Sequence, residues 1–324
     1  MTSTATALKQ TNSSGTLQHL IHLHGLDREF ITFLLDKAES YQTPLGQPPA
    51  RDNILDGHTV ANLFFEPSTR TRASFELAAK RLHADVLNLD VNMSSRIKGE
   101  SLLDTIYTLQ AMQVDIFVVR DASAGIPEYI TSNVMPHVSV LNAGESDVSH
   151  PTQGLLDLLT IRQAKGTLNG LTVTVIGDIA HSRVARSLAE GLNIMGSNQL
   201  RLVAPEGLSP DMDHYPGATF TRDIDGALED ADVVMTLRIQ RERIKEQSSL
   251  MTTHEYLHSY GLTEERASKA KPDAIIMHPG PMNRDVEIAG AVADGPQSVI
   301  TRQVNNGLAI RMSVLAAIME SRQP

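Results

Sequence analysis

The sequence predicts an α/β fold: two doubly wound domains, each around a mainly parallel sheet, with the active site in the cleft between them. Three observations carry this prediction. Strand-like runs of β-branched and apolar residues alternate with helical patterns along most of the 324 residues, an order that produces parallel sheets covered on both faces. The alternation restarts after Asn169-Gly170, and a chain of this length suggests about two domains. Polar and charged clusters follow Phe65, Val119, Leu141, Ile176, Thr236 and Met277, at the carboxyl ends of predicted strands, where open α/β sheets bind ligands.

In chain order, Asp27 to Tyr41 reads as a helix and Thr59 to Phe65 as a buried strand, closed by the turn Glu66-Pro67-Ser68. Ala73, Leu77, Ala78 and Leu82 then repeat at helical spacing over Arg72 to Leu82. Val86 to Leu89, Ile116 to Val119 and Val138 to Leu141 read as strands, with a helix from Ser101 to Met112. The helix Gly154 to Gln163 leads into the second series. That series has strands at Thr172 to Gly177, Leu200 to Ala204, Val233 to Thr236 and Ala274 to Met277, and a helix from Ser182 to Met195. A last helix, Leu308 to Ser321, is expected to pack back onto the first domain. The expected division is an arm over residues 1–16, a first domain over 17–152 joined by 307–324, and a second domain over 153–306.

Composition excludes several classes of function. The net charge of −10 repels nucleic acid and acidic lipid, so basic sites must be local. Only 4% of residues are aromatic and there is no Trp, which argues against a stacking platform for single strands. The absence of Cys removes disulfides, thiolate catalysis and Cys-ligated metals, and suits a reducing cytosol. No apolar run is long enough to span a bilayer. Met1 to Gly15, rich in Thr, Ser, Ala and Gln, has no secretory apolar core and reads as a flexible arm.

The segment Glu66-Pro67-Ser68-Thr69-Arg70-Thr71-Arg72 gathers hydroxyls and guanidinium groups at a helix N-terminus. Free backbone N–H groups, the helix dipole and Arg70 together suit a phosphate. Capping by Ser68 with two surface arginines is the plainer reading, but it leaves the remaining hydroxyls without a purpose. The Walker glycines and lysine are missing, so this is not a nucleotide loop. Asp178-Ile179-Ala180-His181-Ser182-Arg183 follows a strand ending at Gly177, but lacks the later glycines of a dinucleotide turn. His19, His22 and His24 precede a helix, without the strand-end context of a barrel metal site.

Three stretches, taken in order, resemble the transcarbamoylases. They are Phe64-Phe65-Glu66-Pro67-Ser68-Thr69-Arg70-Thr71-Arg72, Ser94-Ser95-Arg96-Ile97-Lys98-Gly99-Glu100-Ser101 and His150-Pro151-Thr152-Gln153. The resemblance runs from about residue 17 to the end. Leu237-Arg238-Ile239-Gln240-Arg241-Glu242-Arg243 and His278-Pro279-Gly280-Pro281 are similar to the branch of the family that uses aspartate. Ornithine-using members typically carry a cysteine in the stretch equivalent to the last, and a Ser-Met-Gly signature; neither is present.

The resemblance implies carbamoyl transfer from carbamoyl phosphate to the amino group of L-aspartate, an early step of pyrimidine formation, with no cofactor and no metal. It gives Ser68, Thr69, Arg70, Thr71 and Arg120 the phosphate, and Arg70, Thr71, Arg120 and His150 the carbonyl oxygen. Gln153 and the carbonyls of Pro279 and Gly280 are implied to hold the carbamoyl amide. Arg183, Arg238 and Gln240 are implied to orient aspartate. Ser94 and Lys98 match residues that reach a neighbouring subunit's site, so a cytoplasmic homotrimer with shared sites is implied. Read without the resemblance, the loop Ser94 to Ser101 is simply solvated, Arg120 is strand-end surface charge, and Arg238 to Glu246 is an exposed charged helix. Val184 stands where some relatives have Thr, and Asp285 where relatives often have Gly. A carbamoyltransferase for another amine, or a non-catalytic assembly subunit, is the alternative; dihydroorotase-like or regulatory chains are candidate partners.

Overall fold

The computed structural model describes residues 10–12, 14–44, 46–89, 101–196, 198–240 and 251–322. They fall into two compact units: unit 1 runs to Thr152 and resumes at Gly307, and unit 2 is Gln153–Asn306.

Unit 1 is built on four parallel strands, β1 (Thr59–Phe64), β2 (Asp85–Leu89), β3 (Ile116–Asp121) and β4 (Ser139–Glu145), in the spatial order β2-β1-β3-β4. The central strands β1 and β3 are buried almost throughout, as parallel strands covered on both faces must be. Ala61, Leu63, Phe117, Val119 and Val140 share one core cluster with Ile21, Ile106 and Leu109. Strand β4 continues to Glu145, beyond the apolar run expected to end at Leu141. Its polar end is buried because it is satisfied: Asn142 Nδ2 donates to the Ile21 carbonyl (2.9 Å) and to Glu145 (3.2 Å). The helix expected from Arg72 begins at Thr69, so the Thr-Arg-Thr-Arg run is its first turn.

The C-terminal helix Ile300–Glu320 enters unit 1 at Gly307. Ser313 Oγ donates to the Leu34 carbonyl (2.7 Å), and the Arg311 guanidinium lies 5.0 Å from the Phe75 ring centroid. Arg322 binds Asp115 and donates to Ser139 Oγ at 2.8 Å. The expected free arm differs at its inner end. Gln10 is buried, its Nε2 donating to the His24 carbonyl and its Oε1 accepting from the Ile21 and His22 amides. A buried side-chain amide with these partners anchors the chain ahead of Thr16, the expected end of the arm. Polar composition alone, which sets that boundary, does not reveal such an anchor.

Unit 2 carries five parallel strands, β5 (Thr172–Ile176), β6 (Gln199–Val203), β7 (Thr219–Thr221), β8 (Val233–Thr236) and β9 (Ile275–Met277), in the order β7-β6-β5-β8-β9. Ile176, Val203, Val234 and Ile276 join Leu228, Leu262 and Ile288 in one core cluster. The three-residue strand β7, with no buried position, and the helix Ile126–Thr131 lie outside the sequence expectation; both are too short to show a period.

The strand orders locate each sheet's switch point. From β1 the chain moves to β2 on one side and then to β3 on the other, and from β5 it moves outward to β6 and β7 before returning to β8. Successive connections therefore diverge between β1 and β3 and between β5 and β8, which opens a crevice at the strands' carboxyl ends. Among the described residues, no helix is long and apolar enough to cross a membrane.

Candidate active site

At the switch point of unit 1, β1 gives way to Phe65-Glu66-Pro67 and the helix Thr69–Arg81. Ser68 is the N-cap residue, in extended conformation (φ −159°, ψ 96°), yet its side chain makes no capping hydrogen bond. No acidic residue occupies the first turn. The positive end of the helix therefore faces outward with hydroxyls beside it, as an anion site requires. Thr69 and Arg70 are exposed, and Ser68, Thr71 and Arg72 are half-buried.

The parallel register sets Phe64 against Arg120, and the Phe65 N–H donates to the Arg120 carbonyl at 2.8 Å. This pairing carries the Arg120 side chain to the exit of β1. Its Nη2 lies 3.2 Å from Glu66 Oε2, and its Nη1 donates to the Ala143 carbonyl at 3.3 Å. The sequence motif alone gives Glu66 no role; the register of β1 and β3 makes it the group that steadies the guanidinium. His150 is buried in the turn after β4, just before the helix Pro151–Lys165.

At the switch point of unit 2, β5 gives way to Gly177, with φ +137°. A Cβ there would strike the Leu237 carbonyl and lie 2.9 Å from Leu237 Cβ, so only glycine lets the exits of β5 and β8 pass this closely. Asp178 follows, fully buried. Its Oδ1 lies 2.8 Å from His181 Nδ1, and its Oδ2 accepts the Gln240 N–H at 3.1 Å. Gln240 Nε2 donates to the His181 carbonyl at 2.8 Å. Asp178 thus ties together the two loops that carry Arg183 and Arg238, the first buried and the second half-buried. Gln240, expected to clamp a substrate carboxylate, commits its amide nitrogen to the His181 loop in this structure. Arg183 opens the helix Arg183–Met195, whose N-cap Ser182 accepts from the Ala185 N–H at 3.1 Å.

Also in unit 2, the turn after β9 places His278 in the core and leaves Pro279 and Gly280 half-buried. Gly280 has φ +65° and the Gly280–Pro281 bond is cis. Gln153 Nε2 donates to the buried Asp157 at 3.0 Å. Tyr256 is also buried; burial first, and the charges of Glu287 and Asp178 next, push its phenol up, so it stays a neutral hydroxyl. Asp285 adopts φ +59°, a left-handed conformation in which Asp is among the better-tolerated residues, and its Oδ1 accepts the Gly290 N–H at 3.0 Å. Ser94 and Lys98 lie outside the described residues. Among the described residues no group of three or more His, Asp or Glu side chains is placed to hold a metal, and His19 Nδ1 accepts the Val140 N–H at 3.1 Å.

The family pattern described as aspartate/ornithine carbamoyltransferase, carbamoyl-P binding domain, matches residues 18–163, and that described as the Asp/Orn binding domain matches residues 169–318. Aspartate transcarbamoylase from Trypanosoma cruzi, solved with carbamoyl aspartate and phosphate, is 32% identical, with 93% of this chain and 95% of that chain covered at a TM-score of 0.83. The same protein solved with N-(phosphonacetyl)-L-aspartic acid gives 31% identity, 95% and 98% coverage and a TM-score of 0.85. Ornithine carbamoyltransferase from Thermus thermophilus gives 26% identity, 93% and 98% coverage and a TM-score of 0.81. With both of its units matched in this way, the chain belongs to the aspartate/ornithine carbamoyltransferase family.

Proposed function

We propose that the chain is an aspartate carbamoyltransferase, moving the carbamoyl group of carbamoyl phosphate to the amino group of L-aspartate. The observation that carries this reading is the chemistry of the two switch points. One presents an uncapped helix N-terminus beside Arg120, which suits a phosphate; the other presents Arg183 and Arg238, which suit a dicarboxylate rather than an amino acid with a cationic side chain. The relative with carbamoyl aspartate and phosphate bound supports the same choice.

In the reaction the aspartate nitrogen attacks the carbamoyl carbon, the new C–N bond forms, and the C–O bond to phosphate breaks. Ser68, Thr69, Arg70, Thr71 and Arg120 receive the phosphate. Arg70, Thr71, Arg120 and His150 stabilise the oxyanion, while Gln153, Pro279 and Gly280 hold the carbamoyl amide. Arg183, Arg238 and Gln240 orient aspartate, Gln240 by exchanging its contact with the His181 carbonyl. The departing phosphate accepts the amine proton. Ser94 and Lys98 enter from a neighbouring copy in a homotrimer, and Lys98 also approaches the aspartate carboxylates. The product feeds pyrimidine formation in the cytoplasm. The 1–16 and 279–295 segments are the proposed contacts for dihydroorotase-like or regulatory chains.

The deciding experiment incubates the pure chain with carbamoyl phosphate and either L-aspartate or L-ornithine. N-carbamoyl-L-aspartate is the expected product, and turnover with ornithine alone would sink the assignment. Mixing inactive Arg70→Ala and Lys98→Ala chains should restore part of the activity if sites are shared between copies; no recovery argues against the shared site.

A further inference from the structure

Next to the His278-Pro279-Gly280-Pro281 turn lies a buried network of His278, Glu287, Gln303 and Asp157 that reaches Gln153. His278 Nδ1 lies 2.8 Å from the Gly280 amide nitrogen, which donates to it. A backbone amide can only donate, so Nδ1 is bare and the ring proton sits on Nε2. That nitrogen is 3.1 Å from Glu287 Oε1, and both side chains are buried, at 0% and 1% exposure. Glu287 Oε1 also accepts the Asn283 N–H at 2.6 Å. The His278 N–H donates to Gln303 Oε1 at 2.9 Å, and Gln303 Nε2 donates to Asp157 Oδ1 at 3.0 Å, the same oxygen that accepts from Gln153 Nε2.

Peptide geometry turns this network into an aiming device. The Gly280 N–H and the Pro279 carbonyl belong to one planar trans peptide, so they point in opposite directions. Drawing the N–H toward the buried imidazole directs the carbonyl away from it. Asp157 acts on Gln153 in the same sense: it takes the amide nitrogen and leaves Oε1 as the acceptor end. Two acceptors, the Pro279 carbonyl and Gln153 Oε1, are each oriented by a buried carboxylate.

We propose that His278, held by Glu287, is a positioning residue that aims the Pro279 carbonyl at the NH2 of the carbamoyl group, with Asp157 aiming Gln153 in parallel, so that the pair selects a carbamoyl over an acyl donor. This rests on the carbamoyl-transfer reading and refines its donor specificity. Acetyl phosphate, which has a methyl group in place of the NH2, is the probe.

In the His278→Leu chain, the KM for carbamoyl phosphate should rise about tenfold, the loss expected of one hydrogen bond, while the competitive inhibition constant of acetyl phosphate should stay within about twofold. His278→Asn places an oxygen where Nδ1 stood and should keep most of the wild-type preference. A parallel rise in both constants in His278→Leu, or loss of the preference in His278→Asn equal to that in His278→Leu, would overturn the proposal. If His278→Leu does not fold, the imidazole 15N resonances of the wild-type chain decide: a bare Nδ1 supports the proposal and a protonated Nδ1 refutes it. A wild-type chain that forms no carbamoyl aspartate refutes the parent reading instead, whatever the variants do.

Discussion

The helices Thr69–Arg81 and Arg183–Met195 begin in the same way and behave differently. Each follows a strand at a switch point, each has a serine N-cap, and each carries an arginine within its first two residues. Ser182 caps its own helix through the Ala185 N–H, whereas Ser68 does not. Unit 2 therefore contributes the arginine side chain and keeps its helix end for itself. Unit 1 offers the helix end together with the arginine. Identical cap chemistry in sequence thus closes one helix on itself and leaves the other without a side-chain cap, at the end proposed to receive phosphate.

The largest effect that tests this contrast is at Arg70. Arg70→Ala should lower kcat about a hundred- to a thousandfold, as loss of an oxyanion donor does, with stability within about 0.5 kcal/mol because the residue is exposed. Rate assays and urea unfolding on the same preparation check both. Comparable losses of rate and stability would make Arg70 part of the fold.

The next largest effect lies at a buried histidine of unit 1. In unit 1, burial chiefly and the Arg322 charge secondarily lower His19 from 6.5 to about 4. The folded value lies below the unfolded one, so the neutral ring's contribution is complete above pH 6.5 and is lost as pH falls toward about 4. The loss reaches about 3 kcal/mol. His22 is shifted down by burial in the same sense, while burial raises Glu145 and works in the opposite sense. Urea midpoints measured across that interval should fall less steeply for His19→Gln than for wild type.

At the unit 2 switch point, Arg238→Ala should raise the KM for aspartate about ten- to a hundredfold, the worth of a charge-assisted hydrogen bond. The KM for carbamoyl phosphate should move less than about twofold. A larger change for carbamoyl phosphate would erase the division of labour between the two switch points. The smallest effect is the most direct comparison. Ser182→Ala should cost about 1 kcal/mol of stability as a lost cap. Ser68→Ala should cost little stability and instead raise the KM for carbamoyl phosphate about fivefold, roughly one hydrogen bond.

Much of this arrangement is legible in the sequence. The strands read clearly because central parallel strands are continuous apolar runs, and the arginines stand out because they follow those runs. The buried carboxylates do not stand out. Asp178 meets Gln240 across 62 positions and Asp157 meets Gln303 across 146, and no local period links such pairs. Glu287 looks in sequence like one more acid in a charged loop, although it is 1% exposed. A carboxylate placed directly after a strand-ending glycine, as Asp178 is, is the one signal that points inward.

The split of unit 1 into residues up to Thr152 and residues from Gly307 onward bears on how the protein is made. A ribosome releases the chain from its N-terminus, so Leu34 and Phe75 emerge long before Ser313 and Arg311, their partners in the last helix. Unit 2 is continuous, but the same helix supplies its Gln303 and Asn306, which bind Asp157 and Thr160, so both units are completed by the last segment to emerge. The nascent first unit therefore waits longest, with part of its apolar surface uncovered, and such transiently exposed surface is what drives aggregation during synthesis.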